Sequence, residues 1–584
     1  MTAEARYVIG LDIGDGESCL GWAPLDRSAP VRIFARPRSG ERSIVTAMAR
    51  SPAGSADPAV RLFGDEAVTS HGVTHFSVNF KEAPAVFATE PPAAVVFARA
   101  LLTEFREQHP EVVRDGMAYV GHPAGWSTET VAAYGRHLEL LDLPVRLVPE
   151  SQSALLHVRD RRRDERRLDR VLVVDIGSST TDFTIVEDLV PRNLPVGATL
   201  GCRQIDERLA GLVRTALCDD AALTAALAGD GGPDFLLLAC RWAKEAQFTG
   251  MVRRIMDLRE SCHERFRPIV ATAWTWLLDL EIAQLVTAPG GWGEDFRAVL
   301  TEAADMLGDR LPDLVVLTGG GSRMPFIDRW CRAVFPAAEI EHDDDPAFTV
   351  ARGLVSNGQH RAAVTRFRRD VDDLVRGPEV AEVVRTEAVA ALETMKRKIT
   401  DQVAESRGSA ATLANHIKFG MFETKCALAD AIAYHLSMRV ERICRRHGVP
   451  AGRVRLDLTL PDLFTDRLDH ILACVGGAQR FTEHSLPVTI GIDVVREAAE
   501  SRLRAEMEER WGRYVPGLAA SVAGAVSSAG SGLVTERAAE LWIRRLLKVG
   551  RYSPDELERI TADVLTAIAD QTGAAARELE RWLA

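Results

Sequence analysis

The sequence predicts an α/β chain in which one strand–turn–strand unit occurs twice, once in each of two related lobes. A mostly helical C-terminal region follows. Three observations carry this. Val171 to Val186 reads Val-Leu-Val-Val-Asp-Ile-Gly-Ser-Ser-Thr-Thr-Asp-Phe-Thr-Ile-Val: an apolar run, a small polar turn, and a second apolar run. Tyr7 to Trp22 repeats the form, with Asp12-Ile-Gly14 leading into Asp15-Gly16-Glu17-Ser18. Beyond Val355 no train of short alternating strands appears, and stretches with apolar residues at helical spacing take over.

A short β-rich run bounded by turn residues reads as a buried strand, and two such runs joined by a Gly-containing turn read as a hairpin. Successive backbone N–H groups in such a turn form a concavity that holds anions, phosphate above all. In the second copy the turn is Gly177-Ser178-Ser179-Thr180, flanked by Asp175 and Asp182. Carboxylates repel phosphate, so Asp175 and Asp182 are better suited to a Mg²⁺ held through water beside it. Two copies of one cradle suggest two lobes facing a shared cleft.

The third element is Leu314-Val-Val-Leu-Thr318-Gly319-Gly320-Gly321-Ser322-Arg323-Met324-Pro325. A hydrophobic strand runs into three glycines, which let backbone approach a flat ligand closely. The Arg323 guanidinium just beyond can stack on a base, and Pro325 is expected in the first turn of the next helix. Pro346 is expected to cap the helix after that. His71 and His75 have the spacing of two ligands on a helix, but no third ligand accompanies them and a loop is expected there.

Whole-chain properties bound the reading. A length of 584 residues exceeds one core and predicts two to four domains. The net charge of −12 argues against nonspecific binding to nucleic acid or anionic lipid. Nine scattered cysteines with no C-x-x-C pair fit reduced thiols rather than a disulfide framework or zinc site. Met1-Thr-Ala-Glu-Ala lacks the basic and apolar segments of a signal peptide, so a cytoplasmic location is expected.

Taken together, the three elements resemble the first phosphate loop, second phosphate loop and adenosine loop of the actin/hexokinase/heat-shock ATPase superfamily. Within it the chain looks most like the nucleotide-binding domain of DnaK-type, seventy-kilodalton heat-shock chaperones. Phe63-Gly64-Asp65-Glu66-Ala67 with Lys81, Pro149-Glu150-Ser151-Gln-Ser-Ala154, and Leu200-Gly201 through Asp206 to Leu209 resemble three further family segments. The resemblance implies an actin-like ATPase domain of duplicated ribonuclease-H-like folds over 1–365, with lobes of about 1–170 and 171–365. It implies ATP/ADP and Mg²⁺ as ligands. By this resemblance Asp12 and Asp175 would hold the water shell of Mg²⁺. Gly14, Asp15, Gly16, Gly177, Ser178 and Ser179 would form the phosphate turns. Lys81 would orient the attacking water, with Glu150, Asp182 and Thr180 completing the polar network. Gly201, Lys244, Gly319, Gly320, Gly321 and Arg323 would surround the nucleoside.

Departures from the family pattern shape the expectation. Asp15-Gly16 replaces a pair of hydroxyl residues, so that Asp15 either turns outward, helps hold metal or weakens ATP binding. Ser151 stands where the family has a proline, and the span from Cys202 to Glu302 reads helical where the family has several strands. Slow hydrolysis, a binding-only pseudo-ATPase, a nucleotide-gated scaffold or filament, and a small-molecule kinase are the competing expectations.

Residues 366–584 are expected to form a predominantly helical effector domain that binds a protein partner. Helices are expected from Pro378 to about Glu405, from about Ala411 to His447, from Val494 to Trp511, from Thr535 to Leu547, and from Ser553 to Leu583. Strands are expected at Arg453–Leu460 and Pro487–Ile492. Tyr514 to Val534 carries no charge. Its Ala, Gly and Ser content suits a closely packed or flexible segment better than a membrane-spanning one.

Overall fold

A computed structural model describes residues 5–50, 61–70, 72–81, 84, 90–161, 170–187, 190–197, 199–250, 258, 260–343, 345–405, 410–447, 458 and 554–581. Contacts divide the chain into two compact units, Met1–Val364 with Leu579–Ala584, and Thr365–Glu578.

In the first unit the strands are β1 (Tyr7–Ile13), β2 (Glu17–Pro24), β3 (Arg32–Ile33), β4 (Ile44–Val45), β5 (Ala47–Arg50), β6 (Arg61–Phe63) and β7 (Thr74–Val78). They continue as β8 (Gly116–His122), β9 (Val145–Pro149), β10 (Arg170–Ile176), β11 (Thr181–Glu187), β12 (Val190–Leu194), β13 (Leu314–Thr318) and β14 (Glu339–His342). One sheet has the order β3-β2-β1-β8-β9, with β4 also paired to β2, and a second has the order β12-β11-β10-β13-β14. In each, the first two pairings are antiparallel and the last two parallel. The two sheets therefore share one strand order and one set of directions.

The central strands explain why their sequences read as unbroken apolar runs rather than alternating ones. Val8 to Leu11, Val171 to Ile176 and all of β13 are buried, as expected of strands covered on both faces. Helices Ala93–Gln108 and Thr128–Leu138 pack apolar residues such as Phe97, Phe105 and Tyr134 into the core that includes Ile9 and Leu11.

The third sheet, β6-β5-β7, is small. His75 lies on β7 rather than in a loop, while His71 falls outside the described residues. Phe76 of β7 meets Phe235 and Phe266, with ring centroids 5.6 and 5.7 Å away, and those two rings stack at 4.2 Å. β7 thus shares one core with the helices that follow Cys202. Those helices include Arg203–Ala216, Ala221–Ala228, Gly232–Thr249 and Trp292–Leu307.

Two proline expectations need correction. Pro325 precedes the helix Ile327–Val334 rather than lying in its first turn, because Gly320–Arg323 first form a 3₁₀ turn. Met324, pushed out of the helical region by the proline behind it, is extended (φ −66°, ψ 127°). Pro346 likewise lies ahead of its helix, which starts at Thr349. The Thr349 hydroxyl there donates to the buried Asp343 carboxylate.

In the second unit, helices Pro378–Glu405 and Ala410–Arg446 run antiparallel, tied by Lys398–Glu423 at 2.9 Å, His435–Glu387 at 3.3 Å and Arg439–Glu379. Val380, Val384 and Ala388 on the first, and Leu428, Ile432, Leu436 and Val440 on the second, are buried at helical spacing. Pro554–Arg581 is a helix with Ile560, Val564 and Ile568 buried. Apart from Leu458, the expected strands at 453–460 and 487–492, the helices at 494–511 and 535–547, and the uncharged 514–534 segment lie outside the described residues. Among the described residues no helix is long and apolar enough to cross a membrane.

Candidate functional site

The turns that close β1–β2 and β10–β11 open onto one cleft of the first unit. Asp12, Gly14, Asp15 and Gly16 line it from one hairpin, and Asp175, Gly177 and Ser178 from the other. Gly319, Gly320, Gly321 and Arg323 line it from the end of β13, and Glu150 from the end of β9. Asp12, Glu150, Asp175 and Thr318 all stand at or just beyond the carboxyl ends of parallel-paired strands, where open α/β sheets place their ligands. The cleft is open to solvent, and its space including the open mouth is about 1170 Å³.

Two of the glycines are there for steric reasons. At Gly14 a β-carbon would lie 2.1 Å from the Glu17 carbonyl oxygen, so the hairpin could not close around a larger residue. Gly319 has φ 78°, and a β-carbon there would lie 2.4 Å from Asp175 Oδ1. Both conditions bring backbone right up to the cleft wall.

Acids crowd the part of the site around Glu150. Lys81 Nζ bonds Glu150 Oε1 at 2.5 Å, both side chains being largely buried. Burial by itself would lower the Lys81 pKa, but Glu150 and then Asp12 outweigh it, and the ammonium is held well above its usual range. Asp12 is pushed up to about 7, chiefly by burial and then by the Glu150 charge, against the pull of Lys81. Burial, with Glu150, Asp182 and Asp12, raises Asp175 well above a normal carboxylate. Asp182, which accepts from the Thr180 hydroxyl at 3.0 Å, is pushed up to about 6 by burial and Glu150. Four carboxylates thus crowd one ammonium, an arrangement that an added cation would relieve.

Among the described residues no three His, Cys, Asp or Glu side chains come together as direct metal ligands. The Asp12 and Asp175 carboxylates on the cleft wall are chemically suited to holding a cation through water rather than in a protein cage. Ser178 Oγ is buried without a hydrogen-bond partner at the cleft wall, a hydroxyl free to donate to a ligand.

Cys202, Phe248, Met324, Pro346, Ala347 and Val350 give the same cleft an apolar lining, a surface suited to a flat ring. Arg323 also lines the cleft and approaches Asp345 at 3.7 Å. Lys244 lines the cleft, but its ammonium is engaged with Asp206 at 2.7 Å and the Cys202 carbonyl at 3.1 Å.

Other expected site residues stand behind the wall. Lys81, Thr180 and Asp182 act through the contacts just given. Ser179 and Gly201 form the backing of the second turn: Cys202 N–H donates to the Gly177 carbonyl and Arg203 N–H to that of Ser178. A β-carbon on Gly201 would meet the Ser179 carbonyl carbon at 2.4 Å.

Asp15 has partners outside the first turn. Its carboxylate is buried, accepting from the Lys81 backbone N–H at 3.2 Å and lying 3.7 Å from Arg203. The sequence reading missed Arg203, Asn79 and Arg241, the last lining the cleft and almost wholly buried. A signal for Arg241 was present: one arginine inside the apolar run Phe235-Leu-Leu-Leu-Ala-Cys-Arg241-Trp-Ala, where an unpaired charge would be costly. No protein-family model matches this sequence, and no curated protein matches it either.

Proposed function

We propose that this chain binds ATP with Mg²⁺ in the cleft of its first unit and hydrolyses it to ADP and phosphate, as a DnaK-like ATPase of the actin superfamily. One observation carries the reading: two hairpin turns, in equivalent positions of two sheets with the same strand order, meet at a single cleft that also holds a triple glycine. Fold likeness alone would not suffice. The chemistry of the site adds the rest.

Phosphoryl transfer asks a protein chiefly for position and charge neutralisation. The turn backbones at Gly14–Gly16 and Gly177–Ser179 would cradle the phosphates, with the Ser178 hydroxyl as a donor. Asp12 and Asp175 would hold Mg²⁺ through its water shell; the ion neutralises charge on the phosphates when bound. Lys81, fixed by Glu150, would orient the attacking water, and Asp182 would keep Thr180 aligned. Asp15 accepts from the Lys81 backbone and faces Arg203, whose charge would offset its repulsion of a phosphate. The apolar lining around Phe248 and Met324, with Gly319–Gly321 and Arg323, would take the adenosine.

The second unit would respond to nucleotide-dependent closure of the cleft and present its helices to a protein partner. Val389, Tyr434 and Met438 are large apolar side chains exposed on them, which supports a partner-binding role. A cytoplasmic setting belongs to this reading and rests on the scattered cysteines.

The test is thermal stabilisation by Mg-ATP together with phosphate release. At about 100 times its dissociation constant a ligand stabilises the folded state by about 2.7 kcal/mol. The wild type should show this, and Asp175→Ala should largely lose it. A wild type that gains no stability from Mg-ATP overturns the reading.

A further inference from the structure

The first turn carries Asp15-Gly16 where the resembled family has hydroxyl residues, and guanidinium groups occupy the space around it. Arg241, 3% exposed on the helix Gly232–Thr249, donates from Nη1 to the Gly16 carbonyl at 3.1 Å and from Nη2 to the Asn79 side-chain oxygen. Its Nε lies 3.8 Å from Asp206. A β-carbon on Gly16 would come within 3.2 Å of Nη1, so a residue without a side chain leaves room for the guanidinium. Arg203 donates to the Asn79 carbonyl at 3.5 Å and approaches Asp15 at 3.7 Å. Asp15 in turn accepts from the Lys81 backbone N–H at 3.2 Å. The contacts close a ring: Arg241 to Gly16, along the chain to Asp15, across to Lys81, back two residues to Asn79, and again to Arg241.

We propose that Arg241 is a positioning residue for phosphoryl transfer, fixing the first phosphate turn through Gly16 and Lys81 through Asn79. The inference rests on the ATPase reading above. A guanidinium suits the task because its planar fork holds two acceptors at a fixed angle, which a lysine ammonium on a flexible stem does not. Asn79 is in the left-handed region (φ 56°), so the two-residue link to Lys81 has a defined direction once its side chain is held. Asp15 and Gly16 then have a joint explanation. The acid binds the Lys81 backbone and faces Arg203, and the glycine admits Arg241.

The experiment compares full-length Asn79→Gly and Arg241→Lys with wild type, measuring single-turnover phosphate release and, separately, Mg-ATP affinity by calorimetry. Asn79→Gly keeps the left-handed backbone at ease and removes only the acceptor, so the fold is retained. Misplacement of a reacting group by about 1 Å can cost on the order of 10²-fold in rate, so each variant should release phosphate about 10- to 100-fold more slowly. Affinity should stay within about threefold. The double variant should fall no further than the slower single, as residues acting through one contact are non-additive. Release within about twofold of wild type in both variants overturns the proposal, whatever their melting temperatures. An affinity loss that matches the rate loss overturns it too, because Arg241 would then be a direct nucleotide ligand. A wild type that binds no Mg-ATP removes the ATPase reading and this inference together.

Discussion

Replacing Asp12 with asparagine should change how stability depends on pH, by an amount that follows from the site. The Asp12 pKa is about 7 in the folded chain, whereas an unfolded aspartate titrates near 3.8. The folded state therefore binds this proton more tightly. The resulting stability is fully present below the unfolded pKa and is lost as pH rises through the folded one. A three-unit difference corresponds to about 4 kcal/mol, and roughly two of those units fall between pH 5 and 8. The partly exposed edge of Asp12 reduces the figure, leaving about 2 kcal/mol. Asparagine does not titrate. In a chelator, the melting temperature of Asp12→Asn relative to wild type should therefore rise by about 4 °C from pH 5 to pH 8. Taking the difference cancels histidines such as His360, which burial lowers to about 4 and which oppose the trend. Differential scanning fluorimetry on both proteins across this range is the assay. A flat difference, or one of opposite sign, would refute the claim that Asp12 is a crowded, proton-holding carboxylate.

Two further outcomes are expected. Lys81→Ala removes the ammonium that bonds Glu150 at 2.5 Å. Phosphate release at saturating Mg-ATP should fall by about 10²- to 10³-fold, and a loss under about fivefold would separate Lys81 from the chemistry. Gly353→Ala would drive a β-carbon to 1.8 Å from the Ser153 carbonyl oxygen, backbone that has no side-chain freedom with which to yield. It should destabilise the protein by about 1–3 kcal/mol, and an unchanged melting temperature would mean that the helices Glu150–Arg161 and Thr349–Arg376, which carry these residues, are not so close.

The parts of this structure that could be read from sequence are those with a local cause. The apolar runs at Tyr7–Leu11 and Val171–Val174 form strands because covering both faces demands unbroken hydrophobicity. The turns beyond them were marked by Gly14 and Gly177, and Pro378 and Gly408 bracketed a helix observed at Pro378–Glu405. What escaped the reading depends on contacts between distant segments. Asp15 left several outcomes open because Arg203, far along the chain, is not visible from the turn. Arg241 drew no assignment, since the groups it holds lie on other segments. The buried partner of Lys244, Asp206, lies on another helix. Pro325 and Pro346 misled for a different reason: the preceding residues form turns of their own before the helices can start.

The aromatic contact of β7 with Phe235 and Phe266 fastens the small third sheet to the helices that follow Cys202. Separating the two would expose Phe76 and its two partners to water, and each such ring costs about 1.5–3 kcal/mol to uncover fully. The small sheet therefore cannot swing away from those helices without something that covers the rings as they emerge.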